Sequence, residues 1–297
     1  DKTMVRKWFQ EVLNNNSDKI FHNAMYDVCW LRSEGFTIKG RIIDTMIGSA
    51  IVDENQLRYD LNNCSRRYLG QSKDEAALYA AAKDWGVDAK AEMYKLPAMY
   101  VGSYAEKDAE LTYKLWQELK KEIEHQDIHN IWKLETELFP ALVDMRFLGV
   151  RVNQEQAAIE KKTLVEQEKK LLDEVGITTN VEVQIWAARS IAKVFDKLNL
   201  PYDRTAKTKA PSFTKNFLMH HPHPIVKKIA QAREINKAHT TFIDTILKHT
   251  HKGRIFAEIN QLRGDNGGTV TGRFSYSNPN LQQIPARNKN LGPRIRS

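Results

Sequence analysis

Two short segments hold the residue types that handle a hard cation and a phosphodiester. One is His22-Asn23-Ala24-Met25-Tyr26-Asp27, and the other is Tyr104-Ala105-Glu106-Lys107-Asp108. In the second, a phenol and a carboxylate stand four residues apart, which on a helix places them on one face. Together they could orient a water molecule on a cation. Mg²⁺ prefers oxygen ligands and is held by one or two carboxylates plus phosphate oxygens, and two such ions roughly 3.5–4 Å apart are a common device for phosphodiester hydrolysis. Taken singly, each segment has a plainer reading: an Asp near a helix start is more often a cap, and a Tyr–Asp pair at this spacing is usually surface pairing.

A third segment has another chemistry. Residues 269–287, TVTGRFSYSNPNLQQIPAR, form a Gly- and Pro-punctuated loop rich in Arg, Asn and Gln and poor in large apolar side chains. Such a loop suits close approach to phosphates. Arg and Gln donate to the acceptors of the DNA minor groove, where readout is nearly blind to sequence. Composition alone also fits a polar surface loop.

The elements that must position these residues can be read from periodicity. Met4, Val5, Trp8, Phe9 and Val12 have helical spacing; residues 19–23 and 41–45 read as short strands, with a helical stretch over 25–34 ended by Gly35. Strands alternating with helices predict an α/β layer. From about 60 to 125 the pattern is helical, with a long helix over 104–124 directing Leu111, Leu115 and Leu119 to a core. A further amphipathic segment spans 131–148, a short strand 149–153, and a charged helix 154–175. Helices continue to about 250 around a basic, turn-rich insert at 201–211, and after Gly253 the chain becomes strand and loop. His220, His221 and His223 lie among prolines and read as a solvent loop or a phosphate neighbour, not a metal cluster.

Charge sharpens this division. The chain has 297 residues and a net charge of +8, yet residues 1–130 carry 18 basic and 21 acidic side chains, residues 131–194 carry 9 and 10, and residues 195–297 carry 18 and 6. The excess is C-terminal and predicts a polyanionic partner there, although a solvated basic face is the commoner reason for such an excess. No apolar run approaches the ~18 residues that span a bilayer, and no membrane contact is expected. Two cysteines, Cys29 and Cys64, exclude a disulfide framework. The chain starts at Asp1 and stops at Ser297, and both ends read as cut, so a fragment is expected.

HNAMYD resembles the second, and YAEKD the third, exonuclease motif of the proofreading domain in family A DNA polymerases, the group of bacterial polymerase I and several phage enzymes. Leu96 to Thr112 is similar to the phage members in particular. This resemblance implies that Asp27 and Asp108 are metal-binding carboxylates for Mg²⁺ or Mn²⁺, that Tyr104 positions the attacking hydroxide, and that Asn23 and Tyr26 sit beside a single-stranded 3′ end. The family's first motif, an Asp-x-Glu on a strand, is missing: residues 1–22 offer only Asp1, Glu11 and Asp18. About half of the metal shell is present, and little or no 3′–5′ exonuclease activity is expected of residues 1–297.

The stretch TGRFSYSNPNLQQIPAR is similar to the signature that opens the palm of the same family. By that resemblance Arg273 contacts the primer terminus, Asn280 and Gln283 lie along the duplex minor groove, and Arg287 supports the primer–template or the adjoining active site. Residues 195–265 then resemble the thumb, with Arg233 and Lys237 as DNA contacts on its long helix and the 204–209 insert as a tip gripping phosphates.

The expected fold class is α/β plus mostly α. A truncated ribonuclease H-like exonuclease domain fills 1–125, connecting helices and a helical thumb 126–265, and the first palm segment 266–297. The expected function is part of a DNA-directed DNA polymerase with 3′–5′ proofreading, acting in replication in a cytoplasm, the host's if phage-encoded. Its partners are primer–template DNA, a single-stranded 3′ end and, for the parent enzyme, deoxynucleotides. Residues 1–297 are expected to bind primer–template DNA but to lack complete catalytic sites, since residues 266–297 contain no Asp or Glu. Two alternatives are a stand-alone exonuclease, which the 271–287 stretch opposes, and a non-catalytic DNA-binding module.

Overall fold

A computed structural model describes residues 2–264, 267–285 and 290–296. In chain order the elements are α1 (Lys2–Asn14), β1 (Lys19–Phe21), α2 (Ala24–Ser33), β2 (Ile42–Asp44), α3 (Thr45–Val52), α4 (Leu61–Leu69), α5 (Ala76–Asp84), α6 (Ala98–His125) and α7 (His129–Leu148). There follow β3 (Val150–Arg151), α8 (Gln154–Thr179), α9 (Ala188–Lys197), β4 (Asp203–Arg204), β5 (Pro211–Ser212), α10 (Lys215–His220), α11 (Pro224–Lys237), a π-helical turn (Ala238–Ile243) and α12 (Asp244–His249). The chain ends with β6 (Thr250–His251), β7 (Arg254–Ile255), β8 (Glu258–Asn260), β9 (Ser275–Ser277) and α13 (Leu291–Arg296).

Two compact units result. The first contains residues 1–148 and 257–277, the second 149–256 and 278–297. This differs from divisions at 125 and 265, because α7 and the β8–β9 pair pack with the first unit. The turn between α6 and α7 is short, so α7 folds back and buries Trp132, Phe139, Leu142 and Val143 in the same core as α6.

In the first unit, β1 and β2 are parallel, with Ile20 opposite Ile43 and Phe21 opposite Asp44. The predicted Leu111, Leu115 and Leu119 stripe of α6 is fully buried, each leucine contributing about 1.5–3 kcal/mol by leaving water. It packs with Ile43, Ile47 and Ala50, and Trp116 meets Trp132 at 5.0 Å between ring centres. Gly48 on α3 permits that fit, since a Cβ there would lie 3.3 Å from Leu119 Cδ1 and 3.4 Å from Trp132 Cζ3. A smaller cluster of Leu78, Ala82, Ala89 and Leu96 packs against Val101 and Tyr104, and so sets the start of α6. That helix begins six residues ahead of the expected Tyr104.

The second unit is mainly helical. Val175, Ile191, Phe195, Val226 and Ile229 are buried in one cluster, with Phe195 touching the rings of Tyr202, Phe213 and Phe217. The polar insert forms a two-stranded hairpin, β4 with β5, whose connecting residues 205–210 are exposed. His221 Nδ1 accepts from His223 N, and His223 caps α11 by accepting from Ile225 N, so these histidines serve local caps.

Candidate functional site

The site is organised by a buried acid that carries no obvious motif. Asp44 ends β2 and is 5% exposed. Its carboxylate accepts from Met46 N at 2.9 Å, which caps α3, and from Asn23 N at 3.0 Å and Ala24 N at 2.8 Å, at the start of α2. One side chain therefore ties two helix starts to the strand pair. Burial raises its pKa to about 6 against those same hydrogen bonds. His22 adds a second tie: its Nε2 donates to the Tyr59 carbonyl at 2.8 Å and its Nδ1 lies 2.9 Å from Thr45 Oγ1. Burial lowers the His22 pKa to about 4, so the ring is neutral at pH 7 and works as scaffold.

Asn23 takes a left-handed conformation (φ 64°), which Asn tolerates better than most residues. Beyond it, α2 buries Ala24, Met25 and Val28 and turns Tyr26, Asp27 and Trp30 outward. Desolvation pushes the Asp27 carboxyl above its ordinary value, and among the described residues no side chain hydrogen-bonds to it. A cleft of about 1110 Å³ is lined by Asn23, Tyr26, Asp27, Trp30, Lys73 and Asp108, with further walls from α7 and residues 258–264. The two carboxylate-bearing segments thus meet in one place.

Tyr104 and Asp108 share a face of α6 as their spacing predicts. Sequence reasoning missed the residue that joins them. Lys73, in the loop between α4 and α5, places Nζ 2.8 Å from Asp108 Oδ2, 3.3 Å from the Tyr104 hydroxyl, and 5.1 Å from the centre of the Tyr104 ring. Its side chain is 12% exposed, and its own N–H donates to Asn62 Oδ1. Burial alone would lower the Lys73 pKa, but the hydrogen bond and charge of Asp108 reverse this and raise it. Burial, then the Asp108 charge, raises that of Tyr104. Tyr104 does not line the cleft directly; its hydroxyl reaches the site through Lys73. A lone lysine in the polar run Gln71-Ser72-Lys73-Asp74-Glu75 carries no signal of this role.

The other Asp108 oxygen, Oδ1, is buried without a hydrogen-bond partner. A buried carboxylate oxygen in that state suits a cation, and Asp27 is a second oxygen donor in the same cleft. Among the described residues no group of three or more His, Cys, Asp or Glu comes together to hold an ion. The residues present therefore fit part of a cation shell, with two carboxylates and the remainder left to water or a ligand.

The C-terminal candidates lie in both units. Arg273, in the first, is exposed; Thr269 Oγ1 donates to its carbonyl at 2.7 Å, closing the loop that leads into β9. In the second unit Asn280 caps the turn Leu281–Gln283 by accepting from Gln282 N, and Gln283 is exposed. Lys237 is exposed at the end of α11, 5.9 Å from the ring centre of Phe242. Arg233 is turned inward: Nε donates to the Ile185 carbonyl at 2.6 Å, one terminal nitrogen donates to the Phe213 carbonyl at 3.0 Å, and the guanidinium stacks on Trp186. Two of its five N–H donors are spent holding the unit together. Arg287 lies outside the described residues.

No helix among the described residues is long and apolar enough to cross a membrane. A family model described as 3′–5′ exonuclease matches residues 2–124, and one described as DNA polymerase family A matches residues 151–297. The chain is 31% identical to a DNA-directed DNA polymerase of Pseudomonas phage M6, over 92% of this chain and 43% of that protein. It is 32% identical to DNA polymerase DpoZ of Acinetobacter phage SH-Ab 15497, over 97% and 50%. The chain thus spans about half the length of these relatives. Among solved structures, the polymerase domain of Pol1 from M. smegmatis, in complex with DNA primer-template and dNTP, shares its fold with a TM-score of 0.74 at 21% identity, over 97% of this chain and 46% of that one. Two exonuclease motifs in one cleft, the TGR…PN-Q-IP-R stretch and these matches lead to one assignment: the chain belongs to the family A DNA polymerases.

Proposed function

We propose that the parent protein is a DNA-directed DNA polymerase with a 3′–5′ proofreading exonuclease, working on DNA in the host cytoplasm, and that residues 1–297 supply its grip on DNA. In the first unit the cleft takes a single-stranded 3′ end. Asn23 and Tyr26 lie beside the terminal nucleotide, and Asp27 and Asp108 are the residues that would hold Mg²⁺ or Mn²⁺ there. When bound, such a cation polarises the phosphoryl oxygens and lowers the pKa of its water. Lys73 holds both Tyr104 and Asp108, and through it Tyr104 would position the attacking water. The observation that carries this reading is the convergence of Asn23, Tyr26, Asp27 and Asp108 on one cleft, where Asp108 Oδ1 lacks a partner.

Two carboxylates do not make a two-cation site, so residues 1–297 bind a 3′ end with little hydrolysis. Nor does the 266–297 segment, which has no Asp or Glu, supply a carboxylate pair for nucleotide transfer. Its part is contact with primer–template DNA, through Arg273, Asn280, Gln283 and Arg287, with Lys237 on α11. Deoxynucleotides are substrates of the parent enzyme.

The test is equilibrium binding of a 5′-labelled oligothymidine by anisotropy, with and without a 3′-terminal phosphate. A free 3′-hydroxyl end should bind more tightly, and Tyr26→Ala should erase the difference. Equal binding of both oligonucleotides by the unmodified chain would contradict the cleft assignment.

A further inference from the structure

The outward stripe of α2 does not stop at Tyr26 and Asp27. Asn23, Tyr26, Asp27 and Trp30 follow the i, i+3, i+4, i+7 spacing that makes one face of a helix, and all four line the cleft. Tyr26 and Trp30 are each 60% exposed. Their ring centres are 6.4 Å apart with planes inclined at 63°, so the two rings do not cover each other's faces. Two large aromatic faces open to water beside a partly buried carboxylate are costly unless something covers them.

A basic group completes the arrangement. Arg146, on α7, lines the same cleft and is close enough to lower the pKa of Cys29, the neighbour of Trp30. Among the described residues it makes no ion pair. Stacking on aromatic rings together with a nearby cation is how single-stranded nucleic acid is held without regard to sequence.

We infer that Trp30 and Arg146 form a second nucleotide subsite, which stacks the penultimate base of a single-stranded 3′ end and meets its phosphate. The inference rests on the reading of the cleft as the 3′-end site. In the sequence of α2, Asp27 falls between Tyr26 and Trp30, and in the proposed path a terminal phosphodiester near Asp27 has one base on Tyr26 and the next on Trp30. The strand then continues along α2 toward its C-terminal end. The subsite explains why a position outside the HNAMYD motif carries an exposed tryptophan.

The experiment uses residues 1–297 and single-stranded DNA with 2-aminopurine as either the terminal or the penultimate base, since stacking on an aromatic ring quenches its fluorescence. The unmodified chain should quench both positions. Trp30→Ala should lose the penultimate signal, keep the terminal one, and weaken binding about five- to a hundredfold; Tyr26→Ala should lose the terminal signal. Arg146→Gln should keep both signals and reduce the salt dependence of binding by about one phosphate contact. A penultimate signal unchanged in Trp30→Ala overturns the subsite, and leaves the 3′-end reading intact if Tyr26→Ala loses its own signal. Quenching absent from the unmodified chain, or indifferent to both substitutions, overturns both. Trp30 is too exposed for its loss to endanger the fold, and far-ultraviolet circular dichroism of each variant verifies this.

Discussion

Lys73 Nζ lies 2.8 Å from Asp108 Oδ2, a pairing between the α4–α5 loop and the middle of α6 in which both side chains are mostly withdrawn from water. The ammonium stands where a cation would neutralise Asp108, and with Tyr104 it fixes the geometry of the helix face that YAEKD supplies.

Removing that charge leaves Asp108 without its counter-ion. Lys73→Met should destabilise the first unit by about 1–3 kcal/mol, the cost of stranding a partly buried charged group, measured as a shift in urea midpoint. Asp108→Asn in the same background should cost less than the two single losses combined. Added Mn²⁺ should raise the Tm of Lys73→Met more than that of the unmodified chain, because it supplies the missing charge.

Asp44 and His22 predict opposing pH dependences. The Asp44 pKa is raised in the folded state to about 6, so its contribution is present below about pH 4 and is lost as pH rises toward 6. The His22 pKa is lowered to about 4, so its contribution is present above about pH 6.5 and is lost as pH falls toward 4. Each amounts to about 3 kcal/mol at full extent, and they offset each other across this window. Relative to the unmodified chain, His22→Gln should lose stability as pH rises from 4 to 6, and Asp44→Asn should gain it. Urea unfolding at pH 4, 5 and 6 measures both slopes, and identical slopes in all three proteins would refute the assignment.

Asp44 and Lys73 mark where legibility in the sequence ends. The carboxylates were readable because Tyr104 and Asp108 share a helix face and Asp27 sits in a recognisable hexapeptide. The Leu111–Leu115–Leu119 stripe was readable for the same reason, since helical period is a local property. Asp44 looks like an ordinary strand end, and its role depends on the main chain of residues 23 and 24, brought to it by parallel pairing of β1 with β2. Lys73 looks like one more charge in a polar loop until the fold places it against α6. The assignment of α7 to the first unit likewise depends on a fold-back that its own pattern does not encode.

Arg233 and Arg273 should part company. Arg233→Ala strands the carbonyls of Ile185 and Phe213, and should cost about 1–3 kcal/mol of stability with little change in the salt dependence of DNA binding. Arg273→Ala should leave the urea midpoint unchanged, weaken primer–template binding, and reduce the slope of log affinity against log salt by about one. Gel-shift titrations at several salt concentrations beside the unfolding curves distinguish the two behaviours.

On the proposed function, a single-stranded 3′ end enters the cleft lined by α2 and α6. Photocrosslinking with an oligonucleotide carrying 4-thiothymidine as its 3′-terminal base, followed by peptide mapping, tests it most directly. A crosslink is expected on the peptide containing Asn23 and Tyr26, and it should be lost in Tyr26→Ala. Crosslinks confined to residues 195–297, with none on α2 or α6, would contradict it.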